Sequence, residues 1–408
     1  MKKILIIEDD PIVSHIYRSR LEKEGFEVEV APDGQAGYYR LYEWKPDAVL
    51  LDLMLPKLNG IGLLKKIRAV REFEKLPVVV FTNAYVSNMI HESFSSGATA
   101  VYNKSNVTPR QIIDMFVILL APPESSPTLE KPAGPNLLVK NSDDAAFQKQ
   151  LFASFSQTSA STGLEMRKLL QEISKADELS RPAQVELLYG KVRSFSSSAG
   201  LAGLPYIAKL GAATEALVRE LIEKPKTVTA STLRTIAQAV DFFGELSRPG
   251  LPPDLAENPP IDILIVDDEM LSRRAIVYAL EKAFLKGTPV DDAEAALAKA
   301  QATKFDLIFL DVHLPHMDGF QLCDKLRETG ANTRTPIIFV TGTADFQARA
   351  QSTLRGASDL IAKPFMFIEL TVKALTFSLR HRLDTHKQLQ AAKTSAPPAA
   401  ALKPASVL

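Results

Sequence analysis

The sequence predicts a multidomain chain in which two α/β domains, each a doubly wound five-stranded parallel sheet, flank a central all-α helical bundle. The α/β prediction rests first on residues 48–51 and 307–310, two unbroken apolar runs that each end on an aspartate, Asp52 or Asp311. Such runs are typical of strands buried on both faces of a parallel sheet. It rests second on alternating strand and helix patterns around both runs. The bundle is predicted because strand patterns disappear between residues 138 and 247.

The two α/β regions repeat each other at a constant offset of 259 residues. The matched pairs are Glu8 with Asp267, Asp9 with Asp268, Asp52 with Asp311, Gly60 with Gly319, Pro77 with Pro336, Thr82 with Thr341, Gly97 with Gly356, and Lys104 with Lys363. No gap is needed across this set, so the chain contains a duplicated domain.

The first α/β domain is predicted to span residues 1–121. Its strands are expected over residues 3–8, 26–31, 48–52, 78–82 and 98–103, and its helices over residues 11–24, 34–44, 60–71, 86–95 and 108–120. The strand order 2-1-3-4-5 would bring the carboxyl ends of the first and third strands together where ligands bind. The second α/β domain, residues 261–382, repeats the pattern with a weak second strand near residues 289–291.

Proline-rich segments separate these domains. Residues 122–137 and 248–260 each contain five prolines, which is typical of linkers. The bundle between them, residues 138–247, is expected to have helices over residues 147–155, 164–173, 185–202, 204–221 and 232–246, with apolar residues at helical spacing. Residues 383–408 are rich in alanine and are predicted to be a flexible tail.

Charge and cysteine content narrow the class of protein. Lys plus Arg and Asp plus Glu number 48 each, so bulk charge predicts neither a nucleic-acid partner nor a membrane surface. The single cysteine, Cys323, excludes an internal disulfide framework and fits a reducing compartment. No apolar run approaches about 20 residues, so no membrane insertion is expected and a cytoplasmic location is predicted.

Acidic residues follow the first and third predicted strands of both domains. Three carboxylates converge in each predicted crevice: Glu8, Asp9 and Asp52 in the first, and Asp267, Asp268 and Asp311 in the second. Converging carboxylates repel one another unless a cation joins them. Mg²⁺ fits, because this hard ion takes carboxylate oxygens, a backbone carbonyl and waters.

The same crevices hold residue types that suit phosphoryl transfer. The aspartate after the third strand can attack a phosphoryl group and form an acyl phosphate. A lysine after the fifth strand can neutralise phosphoryl charge, and a threonine closing the fourth strand can donate a hydrogen bond. These catalytic candidates are Asp52, Thr82 and Lys104 in the first domain and Asp311, Thr341 and Lys363 in the second.

Residues 4–10 (ILIIEDD), the LLD-x-x-LP segment around Asp52, the strand-end threonine and the late lysine resemble a receiver domain of the response-regulator family, which has a flavodoxin-like fold. Residues 263–269 (ILIVDDE), 317–319 (MDG) and 363–365 (KPF) resemble a second receiver. The resemblance implies Mg²⁺-dependent phosphorylation of both acceptor aspartates by a partner histidine kinase.

The resemblance also implies metal ligands, and it is closer in the second copy. The implied ligands are Glu8, Asp9, Asp52 and the Met54 carbonyl in the first copy, and Asp267, Asp268, Asp311 and the His313 carbonyl in the second. The first copy departs from the family pattern at Asn83 and Ser105, where the second has Gly342 and Pro364. We therefore expect Asp311 to be phosphorylated more readily than Asp52.

The middle domain resembles a histidine-containing phosphotransfer (HPt) bundle. Residues 192–204 align with that family's His-x-x-Lys-Gly segment, which places Arg193 at the phosphoacceptor histidine. Residues 121–260 contain no histidine, and arginine cannot take its place, so an HPt-like docking or spacing module is predicted. Arg193 lies one step off the apolar seam, so we expect a solvated flank residue. The alternative is a contact with a phosphate or carboxylate of a neighbouring receiver.

These features favour a response regulator of a two-component phosphorelay and not an enzyme. The expected partners are a histidine kinase or phosphotransfer protein and a downstream effector protein, without nucleic-acid output; the oligomeric state is left open. One alternative is a regulatory subunit that controls a separate effector, such as a second-messenger cyclase. Another is an aspartyl-nucleophile phosphatase, which needs a second carboxylate two residues after the nucleophile, where this chain has Met54 and His313.

Overall fold

The computed structural model describes residues 1–82, 87–104, 107–121, 142–246, 260–328, 330–342 and 357–395. The strands of the first α/β domain are β1 (Lys3–Ile7), β2 (Glu27–Ala31), β3 (Ala48–Leu51), β4 (Val78–Thr82) and β5 (Ala100–Asn103). Its helices are α1 (Pro11–Lys23), α2 (Gly34–Trp44), α3 (Gly60–Ala69), α4 (Ser87–Ser95) and α5 (Pro109–Leu119). The predicted order of elements is confirmed, with ends close to those expected.

The first sheet is parallel, with the predicted order β2-β1-β3-β4-β5. Helices cover both of its faces: Ile4 and Ile6 of β1 pack with α1 and α5, whereas Leu5 and Ile7 pack with α2 and α3. Burial on both faces explains why the inner strands β1, β3 and β4 lack alternating polar residues. Helix α1 begins directly after the acidic segment because the Asp10 carboxylate accepts hydrogen bonds from the first N–H groups of the helix.

The central region is a bundle of four helices within the described residues: α6 (Ser142–Lys175), α7 (Arg181–Leu201), α8 (Pro205–Glu223) and α9 (Ala230–Leu246). Helix α6 joins two segments that were predicted to be separate. In its polar middle, Thr158 and Thr162 donate hydrogen bonds to backbone carbonyls one turn earlier, at Ser154 and Thr158, so these hydroxyls find partners within the helix. None of the described helices is long and apolar enough to cross a membrane.

The second α/β domain repeats the first. Its strands are β6 (Asp262–Val266), β7 (Lys286–Val290), β8 (Leu307–Asp311), β9 (Ile337–Gly342) and β10 (Asp359–Lys363), in the order β7-β6-β8-β9-β10. Its described helices are α10 (Met270–Lys282), α11 (Ala293–Ala302), α12 (Gly319–Glu328) and α13 (Phe367–Ser395). Strand β7 starts earlier than predicted and includes Pro289, which an edge strand tolerates.

The predicted flexible tail is wrong at its start, because α13 continues to Ser395. Arg382 fixes this helix where the tail was expected to begin, since its guanidinium binds the Asp306 carboxylate and Leu383 is buried. Residues 396–408, the linker 122–137 and most of the linker 248–260 lie outside the described residues.

The bundle and the second α/β domain share one hydrophobic core. Helix α13 packs against α8 and α9, and Phe243 and Leu375 belong to the same buried cluster. The first α/β domain has separate clusters on the two faces of its sheet. Leu201, at the end of α7, joins the cluster beneath α1, so the bundle contacts the first domain as well.

Candidate functional site

The acidic residues of the first domain lie at the carboxyl ends of β1 and β3, as predicted. These strands are neighbours, with Ile7 beside Leu51. Glu8, Asp9 and Asp52 therefore meet at one edge of the sheet, and their carboxylate oxygens lie within 4.8 Å of one another. Glu8 and Asp52 are buried, whereas Asp9 is partly exposed.

Lys104 reaches this cluster from the end of β5. Its Nζ donates to Glu8 Oε2 at 2.5 Å and to Asp52 Oδ2 at 2.9 Å, and its side chain is 3% exposed. Burial raises the pKa of Glu8, and Lys104 offsets this only in part. Burial opposes the charge on Lys104, but Asp52 and Glu8 outweigh it and raise the lysine pKa. The ammonium is thus held charged between two acids.

A second cation, Arg193 of α7, lies in the same pocket. Its Nη1 donates to Asp9 Oδ2 at 2.7 Å, and its Nη2 donates to Asp9 Oδ1 at 2.5 Å and to Asp52 Oδ2 at 2.8 Å. Its side chain is 11% exposed. The expectation of a solvated flank residue is wrong, and the alternative contact with receiver carboxylates is correct. The helical seam describes packing within the bundle and carries no information about the neighbouring domain.

The two cations control the charge on the aspartates. Burial disfavours ionisation of Asp52, but Lys104 and Arg193 outweigh it and hold the pKa of Asp52 below its usual range. Burial raises the pKa of Asp9, and Arg193 opposes this shift. Both oxygens of Asp9 and one oxygen of Asp52 are engaged by the guanidinium, which is bidentate towards Asp9.

Bundle residues support this arginine from the other side. The Glu215 carboxylate on α8 is 3% exposed. Its Oε1 lies 3.9 Å from Arg193 Nε and accepts a hydrogen bond from the Tyr189 hydroxyl at 3.3 Å. Burial raises the pKa of Glu215 to about 7. A further contact joins Arg219 Nη1 to Met54 Sδ at 2.7 Å. Glu215 was not predicted as a site residue, although an acid within the apolar run of α8 is a signal for one.

The second pocket repeats the arrangement in a more open form. The carboxylate oxygens of Asp267, Asp268 and Asp311 lie within 4.8 Å of one another, and Asp268 is exposed. Lys363 Nζ donates to Asp267 Oδ2 at 2.8 Å and to Asp311 Oδ2 at 2.6 Å. The Lys363 side chain is 19% exposed. Burial opposes its charge, but the hydrogen bonds to both acids outweigh burial and raise its pKa. Ser272 Oγ also donates to Asp267, at 2.5 Å.

The predicted threonines lie at the ends of the fourth strands. Thr82 and Thr341 are both buried, at the ends of β4 and β9. Within the described part of the chain, Thr341 Oγ1 is buried without a hydrogen-bond partner. A buried hydroxyl without a partner carries a desolvation cost, and this one is free to bind an incoming oxygen atom.

The loop after each acceptor aspartate orients its carboxylate. The backbone N–H of Met54 donates to Asp52 Oδ1 at 3.1 Å, and that of His313 donates to Asp311 Oδ1 at 3.2 Å. The predicted role of these two residues as carbonyl ligands remains a prediction.

A glycine closes each of these loops. The Gly319 N–H donates to the Val312 carbonyl at 2.8 Å. A Cβ on Gly319 would lie 2.2 Å from the Asp311 carbonyl oxygen, and a Cβ on Gly60 would lie 2.3 Å from that of Asp52. Because real Cβ atoms do not approach backbone this closely, both positions require glycine.

The donor set of each pocket suits a small hard cation. Mg²⁺ prefers carboxylate oxygens and retains several waters. Three carboxylates supply such oxygens in each pocket, and the exposed Asp268 leaves the second pocket accessible to water. In the first pocket, both oxygens of Asp9 and one oxygen of Asp52, Oδ2, are bonded to Arg193.

Some residues that distinguish the two copies lie beyond the described ranges. Asn83 and Ser105 are outside them, and so is Gly356, which matches Gly97 in the repeat. Gly342 ends β9, and the peptide bond between Lys363 and Pro364 is cis. The greater reactivity of Asp311 remains a prediction.

Comparisons with known proteins place both pockets within one family. Residues 4–116 and 263–375 match the response regulator receiver domain. The transcriptional regulatory protein ResD of Bacillus subtilis is 38% identical over 115 residues, which are 28% of this chain and 47% of ResD. The phosphate regulon transcriptional regulatory protein PhoB of Rhizobium meliloti is 34% identical over 130 residues, 32% of this chain and 57% of PhoB. The chain spans about half the length of the curated relatives it matches.

A solved structure is similar to one receiver only. It is the receiver domain of the sensor histidine kinase PA1611 from Pseudomonas aeruginosa PAO1 with a magnesium ion coordinated in its active site cleft. It is 28% identical and covers 29% of this chain and 98% of its own, with a TM-score of 0.28. The family assignment rests on the two matched segments, which together make up more than half of the chain. With two parallel sheets of matching strand order, the chain belongs to the response-regulator family and contains two receiver domains, receiver 1 (residues 4–116) and receiver 2 (residues 263–375).

Proposed function

We propose that this chain is a cytoplasmic response regulator of a two-component phosphorelay that accepts phosphoryl groups on Asp52 and Asp311. A histidine kinase or phosphotransfer protein is the donor, and the reaction depends on Mg²⁺. The observation that carries the proposal is the geometry of receiver 2. There, Lys363 Nζ lies 2.6 Å from Asp311 Oδ2, and the buried Thr341 hydroxyl ends the neighbouring strand.

Asp311 is placed to act as a nucleophile. One of its carboxylate oxygens attacks phosphorus, the bond from phosphorus to the donor nitrogen breaks, and an acyl phosphate forms. Lys363 neutralises charge on the phosphoryl oxygens, and Thr341 donates a hydrogen bond to one of them. Asp267, Asp268 and Asp311 would hold Mg²⁺, which supplies further positive charge to the phosphoryl group. Asp52, Lys104 and Thr82 are assigned the same roles in receiver 1.

The central bundle acts as an HPt-like module that cannot carry a phosphoryl group. This assignment is supported by four helices in residues 142–246 and by the absence of histidine from that segment of the sequence. Phosphorylation shifts each receiver between two conformations, and output then passes through protein contacts. The chain itself is proposed to signal and not to turn over a substrate.

The names of the curated relatives favour a second candidate output, through DNA, because ResD and PhoB are transcriptional regulatory proteins. We favour protein contacts because the chain has no net formal charge, with 48 basic and 48 acidic residues. A gel-shift measurement of the phosphorylated chain with duplex DNA separates the two: a sequence-specific complex would replace our proposal. Isolation of a stable complex with a second-messenger cyclase would support the regulatory-subunit alternative instead.

Acetyl phosphate with Mg²⁺ tests the assignment of both acceptors. We expect label on Asp311 ahead of Asp52, label on one site in Asp52→Asn and in Asp311→Asn, and none in the double variant. Chelation of Mg²⁺ should abolish labelling, and hydroxylamine should remove the label, since it cleaves acyl phosphates. Intact-mass measurement reads out each case. A phosphoryl mass retained by the double variant would contradict the assignment and reopen the phosphatase alternative.

A further inference from the structure

The bundle presents Arg193 to receiver 1 at the position where a metal ion would meet the carboxylates. We infer that the bundle face around Arg193 is a built-in docking surface for receiver 1, and that Arg193 is a tethered cation that competes with Mg²⁺ and shields Asp52 from phosphoryl donors. The inference rests on the proposed role of Asp52 as a phosphoacceptor.

The positive charge of Arg193 on the bundle meets the negative charges of Asp9 and Asp52 on receiver 1. Arg193 makes two hydrogen bonds to Asp9 and one to Asp52, at 2.5 to 2.8 Å. Bidentate pairs of this kind are the most specific contacts that arginine makes with carboxylates. Because both oxygens of Asp9 are bonded to the guanidinium, a metal ion that binds Asp9 must displace Arg193, so the docked guanidinium and Mg²⁺ compete for this carboxylate.

The arginine is held in place by the bundle and not only by the receiver. Glu215 Oε1 lies 3.9 Å from Arg193 Nε, and Tyr189 donates to that same carboxylate oxygen. The guanidinium therefore has one acid on the bundle side and three on the receiver side, where Glu8 Oε1 lies 3.9 Å from Nη2. Such support orients a side chain before its partner arrives.

Contacts around the arginine extend the docking surface. Leu201 of α7 is buried in the cluster that contains Tyr17 of α1. Arg20 of α1 lies over the Phe147 ring of α6, 3.6 Å from its centroid. Helix α1 of receiver 1 therefore contacts the bundle through buried apolar residues and a cation–π contact. These contacts lie beside the ion pairs of Arg193 in the pocket.

The docked state also blocks the chemistry of Asp52. Its Oδ2 accepts from both Lys104 and Arg193, and its Oδ1 accepts from the Met54 N–H. Asp52 is 2% exposed. A phosphoryl donor reaches this carboxylate only after the bundle face has moved away.

Receiver 2 is joined to the bundle by a different surface, which lies on α13. The Glu369 carboxylate of α13 accepts hydrogen bonds from Ser231 at 2.6 Å and from Thr235 at 3.0 Å, both on α9. Asp268, at the pocket of receiver 2, remains exposed. Among the described residues, the bundle therefore reaches the acidic pocket of receiver 1 through Arg193 and contacts receiver 2 through α13.

Calorimetric titration with Mg²⁺ alone tests the competition in the full chain. The background substitutions Asp268→Asn and Asp311→Asn remove two carboxylates from the pocket of receiver 2, so that receiver 1 has the one intact acidic pocket of the two. In this background, Arg193→Met, which retains an apolar stem, is compared with Lys191→Met on the same helix. Lys191 is a matched control because its ion pair with Glu165 is exposed. We expect Arg193→Met to tighten Mg²⁺ binding by about tenfold or more and Lys191→Met to leave it unchanged. Equal affinities in the two variants overturn the inference.

Amide hydrogen exchange in the unsubstituted chain tests the same competition without a variant, so a folding defect in Arg193→Met cannot affect the result. Saturating Mg²⁺ should speed exchange in α1 and in residues 190–201, because the metal displaces the docked helix. If exchange in both segments stays constant while Mg²⁺ saturates the chain, the tethered-cation role is refuted.

Labelling with acetyl phosphate separates this inference from the proposed function. In the Asp52→Asn variant, label on Asp311 tests the proposed function alone, because the aspartate that Arg193 is inferred to shield is absent. In an Asp311→Asn chain, Arg193→Met should speed labelling of Asp52 by about tenfold or more. If Asp311 takes label and Asp52 reacts at the same rate with either residue at position 193, the inference fails and the proposed function stands. If neither aspartate takes label, both fail.

Discussion

Gly319→Ala should distort the loop that orients Asp311. The added Cβ would lie 2.2 Å from the Asp311 carbonyl oxygen and 2.9 Å from Val312 Cα. Ordinary van der Waals contacts of a Cβ atom start at 3.4 Å, so the loop must move by roughly 1 Å. Overpacking of this kind costs about 1–3 kcal/mol of stability. A displacement of roughly 1 Å at a reacting group costs up to about 100-fold in rate.

The control is Gly330→Ala in the same domain. Gly330 is exposed, and a Cβ built on it meets no atom within 4 Å, so its stability should change by less than about 0.5 kcal/mol. Urea unfolding gives the stability of each variant. The rate of acyl-phosphate formation on Asp311, measured in an Asp52→Asn background, gives the effect on chemistry. If Gly319→Ala matches Gly330→Ala in both measurements, the steric argument is wrong.

Three further substitutions or treatments test other parts of the structure. Lys373→Met leaves the buried Asp359 carboxylate without its ammonium partner and should cost about 3–5 kcal/mol in urea unfolding, most of which Asp359→Asn should restore. Burial lowers the pKa of Lys209 from 10.5 to about 8. Between those pH values the unfolded chain binds more protons than the folded chain, so the free energy of unfolding rises with pH. Lys209→Met should reduce this rise by about 1–2 kcal/mol in urea unfolding measured at the two pH values. Cys323 is 0% exposed, and burial raises its thiol pKa, so a thiol reagent should modify it only after denaturant is added; rapid modification of the native chain would contradict this burial.

The sheets and both acidic pockets could be predicted because their signals are local. Buried parallel strands require apolar runs, and parallel strand order brings their carboxyl ends together. The position of each acid after its strand therefore predicted that Asp52 and Asp311 would lie beside Lys104 and Lys363, and the structure has these contacts.

The contacts between domains could not be predicted in the same way. Helical periodicity identifies the face of α7 that packs inside the bundle, but Arg193 is buried by a domain more than a hundred residues away in sequence. The contact of Arg193 with a receiver was only the alternative to the expected solvated position. The continuation of α13 to Ser395 was missed because an alanine-rich segment without periodicity resembles a tail until its anchoring residue, Arg382, is placed against Asp306.

The common core of the bundle and receiver 2 makes the proline-rich segment at residues 248–260 a poor place to divide the protein. Phe242 and Phe243 of α9 lie in one buried cluster with Leu375 and Leu379 of α13. A fragment that starts at residue 261 would expose these leucines to water and would be prone to aggregate. We therefore expect the bundle and receiver 2 to unfold together, and recombinant dissection of the chain should keep residues 142–395 in one piece.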